Sequence, residues 1–347
     1  MKKLLGIAVA SATMATSAMA AVTTNMENPL FIPKAGEFAS KTGAGVMYKQ
    51  ADHTDALKIK DHDGAEEFPV WRFTEDFGYG ITDRLSVYTL LGWTQNDDID
   101  RKGMHRGRLG LNYRAVETLD NVAWDVYGEA YLSGVSPMKG SVTLTNGNVD
   151  FKYDNFSNGR WGAVLGTKVG KTWSKFTASL FAEYLQTFGN HNNKIKIDQS
   201  AAVAGPLTFG MVGFPDEISV DLKSTAEITV GTNAFYQIND NWSFGGGFRF
   251  VEHTDNGVKS IHTKLNAPQA PATAAHQQAV VDKLLSETKN MHDGWDEYIL
   301  SASIANQVTD SVQIALFGEY TFDDSHKNSQ NGTDVKAEVG VRANVRF

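Results

Sequence analysis

"VKAEVGVRANVRF", Val335 to Phe347, decides the fold, because every second residue in it is apolar. Val335, Ala337, Val339, Val341, Ala343, Val345 and Phe347 alternate with Lys336, Glu338, Gly340, Arg342, Asn344 and Arg346. Successive side chains of a β-strand point to opposite faces, so this spacing gives one apolar face and one polar face. A strand built this way separates two media, and the rest of the chain says which two.

The same period-two pattern recurs in about twelve segments. They cover 36–50, 66–80, 84–96, 102–115, 121–135, 158–170, 174–188, 222–238, 241–254, 294–308, 311–323 and 332–347. The connections alternate in length. "ITDR", "ETLDN", "KTWS", "NDN" and "TDS" are short; 51–65, 97–101, 136–157, 189–221, 255–293 and 324–331 are longer and polar. In "YGITDRLSV", "YQINDNWSF" and "NQVTDSVQI" one turn unit is repeated, with Asp83, Asp240 and Asp310 expected to bond the turn backbone. Short turns at one end and long loops at the other imply an all-β, up-and-down antiparallel barrel.

Composition narrows the medium. "LLGIAVA" behind Lys2 and Lys3, followed by "SAMA", reads as a secretory leader over 1–20, with cleavage expected between Ala20 and Ala21. Beyond it no apolar run approaches the ~20 residues of a membrane helix, whereas barrel strands would escape a hydropathy scan. Removing Lys2 and Lys3 takes the formal charge from −8 to −10, which argues against nucleic acid, whose phosphates need a basic stripe. Without cysteine there is no disulfide, thiolate nucleophile or iron–sulfur site, and no motif implies a cofactor.

The seven tryptophans all fall near segment ends, where indole suits a membrane interface. Trp124, Trp173 and Trp242 belong to the short-turn end; Trp71, Trp93, Trp161 and Trp295 belong to the long-loop end. About twelve strands enclose a lumen too wide for apolar side chains to fill, so the apolar face is assigned to lipid and the polar face to the interior. Glu75 breaks this rule by falling on the lipid face, which predicts a bulge or a shifted register there.

From Glu37 to Phe347 the chain resembles bacterial outer-membrane β-barrel proteins of the porin type, and the terminal aromatic strand is the most specific part of the match. The resemblance implies a transmembrane barrel over 36–347 in the outer membrane of a Gram-negative cell. It implies periplasmic short turns, extracellular long loops and an extended periplasmic segment over 21–35. It also implies that Phe347 is read by the assembly machinery, that the last strand closes on the first, and that lipid and lipopolysaccharide are neighbours.

Read in register, the interior carries charges of both signs. Acidic candidates are Asp76, Asp125, Glu129, Glu183, Glu227, Glu297, Glu319 and Glu338; basic ones are Arg72, Arg106, Arg108, Arg114, Lys168, Lys223, Arg249, Lys336, Arg342 and Arg346. "YGEAY", "FAEYL" and "FGEYT" place Glu129, Glu183 and Glu319 at similar heights, with Arg249 at the same level. Two compatible readings follow: ion pairs that brace the lumen, or a constriction that selects solutes. Glu129, Glu183, Glu319, Arg249, Glu227, Arg108, Arg72 and Arg342 are the candidates for it.

Ser157-Asn158-Gly159-Arg160 is similar to the nucleophile segment of the outer-membrane phospholipase family. That family places its activating His two residues before the Ser, where this chain has Asn155, and a serine without a base is a weak nucleophile. No enzyme is expected. Asp61, Asp63, Asp97 and Asp98 lie in acidic loops that suit either solvent or divalent cations, and no firm metal site emerges. Ala274 to Met291 has helical periodicity, with Val280, Val281, Leu284 and Leu285 on one face. The expected function is a narrow channel for small hydrophilic solutes; a closed surface barrel whose loops bind partners or lipopolysaccharide is the alternative, and a hydrolase the distant one.

Overall fold

The computed structural model describes residues 25–50, 70–96, 101–118, 120–133, 138–144, 147–153, 161–188, 193–197, 202–204, 207–208, 210–211, 213–222, 224–254, 258–264, 274–290, 295–324 and 335–347. Twelve strands form the wall. They are β1 (Phe38–Gln50), β2 (Val70–Gly80), β3 (Leu85–Asn96), β4 (Arg101–Glu117), β5 (Val122–Ser133) and β6 (Trp161–Trp173). They continue with β7 (Phe176–Phe188), β8 (Ala226–Gln237), β9 (Trp242–His253), β10 (Trp295–Thr309), β11 (Val312–Asp324) and β12 (Val335–Arg346). Each pairs antiparallel with its chain neighbour, and β12 pairs with β1 from Gln50↔Val335 to Ala39↔Arg346. The sheet is therefore a closed cylinder without an edge, the β arrangement that satisfies its whole backbone in hydrocarbon.

Phe347 completes the closure. Its N–H donates to the Phe38 carbonyl at 3.0 Å, the Phe38 N–H donates back at 2.7 Å, and the two rings stack with centroids 5.8 Å apart. Outside the wall, side chains follow the expected parity: Leu165, Leu180, Leu316, Val339 and Val341 stand exposed. Trp71, Trp93, Trp124, Trp161, Trp173 and Trp242 are exposed near strand ends, giving the barrel an apolar belt bounded by indoles. This is the surface of a transmembrane barrel.

Three sequence expectations change. First, Glu75 is neither at a bulge nor out of register, since β2 pairs without a shift from Val70 to Tyr79 with β1 and from Trp71 to Gly80 with β3. Its side chain shares the outward face with Phe73 and Phe77, and its carboxylate accepts hydrogen bonds from the hydroxyls of Ser40 (2.7 Å) and Thr42 (2.6 Å) on β1. Second, the turn backbone is bonded by the residue before each Asp. Thr82 Oγ1 accepts from the Arg84 and Leu85 N–H groups, Asn239 Oδ1 from Asn241 and Trp242, and Thr309 Oγ1 from Ser311 and Val312. Thr or Asn, rather than Asp, therefore stands at the turn's first corner. Third, the described part of the segment preceding the wall is not extended outside it: Asn25 to Pro33 lies in the lumen.

The long connections pair with one another. A hairpin of 138–144 and 147–153 is joined through 193–197 and 217–222 to 258–264, raising one side of the wall above the strand ends. Helix α1 (Ala274–Asn290) packs beside 258–264, with Gln277 and Val281 buried and Gly213 against the Gln277 backbone. No helix among the described residues is long and apolar enough to cross a membrane.

Candidate functional site

The lumen is built in tiers. At the short-turn end the chain enters beside β2: Gly36 N–H donates to the Gly80 carbonyl at 2.8 Å, and Gly80 N–H donates to Glu37 at 3.0 Å. Glycine is required at 80, because a Cβ there would stand 1.8 Å from the Lys34 carbonyl oxygen. Two successive Asx turns then fold the segment back on itself. Asn25 Oδ1 accepts from the Glu27 N–H and Asn28 Oδ1 from the Leu30 N–H, each at 2.9 Å.

Each polar group of this segment meets a matched one on the wall. Asn25 donates to Gln237 (3.1 Å) and Ser243 (3.3 Å) and accepts from Gln313 (3.0 Å). Glu27 accepts from Arg342 Nη2 (2.6 Å) and Nε (3.2 Å), Asn344 (2.8 Å) and Ser303 (3.2 Å). Asn28 donates to Thr177 at 3.1 Å, and Arg114 donates to the Leu30 carbonyl at 2.5 Å. Arg114 is itself held by Asp125, whose side chain is fully buried, through Nε at 2.8 Å, with Lys168 at 3.6 Å on the other oxygen. The bonds reach β4, β7, β8, β9, β10, β11 and β12, so the segment is tied to most of the circumference.

Burial by itself would raise the Glu27 carboxyl's pKa. The charges of Arg342 and Lys41, with the Asn344 hydrogen bond, outweigh that and hold it below the ordinary carboxylate value. Met26 and Leu30 are each 5% exposed, filling the space between the polar anchors. The N-terminal segment thus plugs the short-turn end.

Above the plug lies a cavity of about 590 Å³. Its lining mixes hydroxyl and amide groups (Ser86, Asn112, Asn233, Ser301) with rings (Tyr88, Phe181) and charges of both signs. Higher on one side, Arg108 reaches Glu129 at 3.1 Å and Glu183 at 3.6 Å. Tyr88 donates to Glu129 (2.6 Å) and Tyr127 to Glu183 (3.0 Å). The Tyr88 and Tyr127 rings lie against Gly110 and Gly166, where any Cβ would collide with them. On the other side Arg249 pairs with Glu319 at 2.8 Å, and Arg72 with Glu338 at 2.6 Å. Near the long-loop end His253 Nδ1 stands 3.3 Å from Glu227, and Nε2 is 3.9 Å from Glu297.

Glu129, Glu183, Glu319 and Arg249 all sit in the lumen as the fourth inward residue beyond their short turns. They form two separate ion-paired groups, one around Arg108 and one around Arg249. Arg342 serves the plug instead. Sequence reading missed Asn25, Glu27, Asn28 and Leu30; the one available signal was a polar, proline-containing stretch, "NMENPLFIP", directly ahead of the wall. Ser157, Asp61, Asp63, Asp97 and Asp98 lie outside the described residues, among which no group of three metal-ligating side chains occurs.

No protein-family model matches the chain, and no curated protein matches it. Solved structures do. An outer-membrane channel of the COG4313 group from Pseudomonas putida F1 is 13% identical, with a TM-score of 0.49 over 91% of this chain and 97% of that one. The CymD monoaromatic hydrocarbon channel is 8% identical (TM-score 0.46; 90% and 89% covered), and the NanC porin 9% identical (0.43; 87% and 98%). Those structures are outer-membrane channels and porins; the barrel of this chain is established by its own strand pairing.

Proposed function

We propose that the protein is an outer-membrane channel for small hydrophilic solutes, closed at its periplasmic end by its own N-terminal segment. The observation that carries this reading is the lumen: a cavity of about 590 Å³ whose lining sets charged, hydroxyl and amide groups among aromatic and aliphatic ones, stopped at one end by a non-covalent plug. A barrel that merely filled its interior would leave no such chamber. The volume falls in the range of small-molecule sites, roughly 300–1,000 Å³. The wall charges around Arg108 and Arg249 would sort solutes on their way to it.

In this reading residues 1–20 direct export, the assembly machinery takes Phe347 as its signal, and lipid and lipopolysaccharide surround the belt. No catalytic role is assigned to any residue. The alternative is a permanently closed surface barrel, favoured by the breadth of the plug's attachment, which spans seven strands. Single-channel recording of refolded protein in a planar bilayer separates the two. The channel reading expects conductance steps that grow when residues 25–34 are deleted; no steps from either form would overturn it.

A further inference from the structure

Two lysines line the chamber above the plug from nearly opposite strands, Lys41 on β1 and Lys168 on β6. Neither is used up by the wall. The charges of Glu27 and Asp76 act on the Lys41 ammonium, yet among the described residues it donates no hydrogen bond and makes no ion pair within 4.0 Å. Glu27 is already taken by Arg342, Asn344 and Ser303. Lys168 stands 3.6 Å from Asp125, but Arg114 holds both oxygens of that carboxylate, at 2.8 and 3.3 Å. An ammonium has three donors and no acceptor, so both lysines keep hydrogens for a further acceptor. The charge of Lys41 also acts on Lys168, a repulsion across the lumen that a shared anion would relieve.

The rest of the lining agrees in charge and shape. Lys41, Lys168, Arg249 and Arg342 face the chamber against Glu27, Asp76 and Glu319, an excess of one cation. Glu129 and Glu183 are not part of the lining; Tyr88 and Tyr127 are, and they donate their hydroxyls to those two carboxylates. Phe181, a third ring of the lining, stands directly across from Lys168 in the β6–β7 register. Gly231 leaves it room, since a Cβ there would lie 2.6 Å from Phe181 Cζ. We infer that Lys41 and Lys168 together hold a small organic anion in this chamber, a carboxylate on an aromatic body. The carboxylate takes a charge-assisted hydrogen bond from each lysine, and its ring lies among Tyr88, Tyr127 and Phe181. A chamber of about 590 Å³ has room for such a solute. The site deepens the channel reading by naming a solute, and rests on that reading for the route by which the solute enters.

Equilibrium dialysis of the refolded full chain in detergent against labelled benzoate tests the site without requiring conductance, with empty micelles as background. Each variant is first checked for the barrel by heat-modifiable gel migration. Lys41→Gln is the deciding variant, because Lys41 holds no ion pair whose loss would disturb the wall; Lys168→Gln is the second. Wild type should bind benzoate saturably, each Gln variant should bind it about tenfold more weakly or worse, and Lys41→Arg should keep most of the affinity. Benzamide keeps the ring without the charge and acetate the charge without the ring, so each should compete about tenfold less well than unlabelled benzoate, or worse. No saturable binding by wild type would overturn the proposal, as would an affinity unchanged by Lys41→Gln. So would benzamide, acetate or inorganic phosphate competing as well as benzoate itself. Benzoate binding without conductance steps in a planar bilayer would leave the site standing and sink the channel reading; steps without benzoate binding would do the reverse.

Discussion

Glu27→Ala is the sharpest test of the plug. The wild-type carboxylate, with only 5% of its side chain exposed, accepts four hydrogen bonds from Arg342, Asn344 and Ser303. Removing one partner of a buried ion pair costs roughly 3–5 kcal/mol. The Arg342 side chain is 25% exposed and water can reach it, which lowers the expected effect to about 3 kcal/mol. At ~1.4 kcal/mol per factor of ten, the plugged-to-unplugged ratio should fall about a hundredfold. Met26→Cys provides the readout, because Met26 is 5% exposed behind the plug's anchors and no other thiol exists. Its modification by a membrane-impermeant thiol reagent should track the unplugged fraction when replugging is faster than reaction. The reagent should therefore react about a hundredfold faster with the Met26→Cys, Glu27→Ala double variant than with Met26→Cys alone. A change below about threefold would refute the assignment of Glu27 as the main lock.

Four further outcomes follow from the same geometry. The Glu27 pKa is lowered in the plugged state, so its contribution is fully present above the ordinary carboxylate pKa and is lost as pH falls through the depressed one. Conductance should rise at acid pH below the usual carboxylate range and lose that dependence in Glu27→Gln. Gly80→Leu, whose Cβ would meet the Lys34 carbonyl at 1.8 Å, should unseat the segment and match the conductance of the variant lacking 25–34. Arg108→Ala leaves Glu129 and Glu183 without their shared cation, so the cation-to-anion permeability ratio in reversal-potential measurements should rise several-fold. Phe347→Ala removes the ring stacked on Phe38 and should lower unfolding stability by about 1 kcal/mol in urea titration of refolded protein.

The wall was legible because its information is local. Alternation at period two states both the strand and its two faces, and a one-residue slip would expose every charge to lipid. The twelve segments accordingly match β1 to β12 to within a few residues at each end, and the stretch from Val335 to Phe347 presents the apolar face it announced. Even Glu75, which looked like a fault in the pattern, keeps its register, since uninterrupted backbone pairing outweighs the cost of one outward carboxyl answered by Ser40 and Thr42.

What the sequence could not state is which inward groups meet. Glu319 and Arg249 share a level by counting residues, yet the ion pairs depend on the curvature of a closed cylinder that brings Arg108 to both Glu129 and Glu183. The plug lies further beyond reach. Asn25 finds Gln237 across 212 positions and Glu27 finds Arg342 across 315, contacts with no periodicity and no local propensity behind them. They exist because closure of the barrel creates a ring of unfilled donors and acceptors, and the nearest free stretch of chain is the one that completes it. Local alternation determined the cylinder; only the closed cylinder decided what stops it.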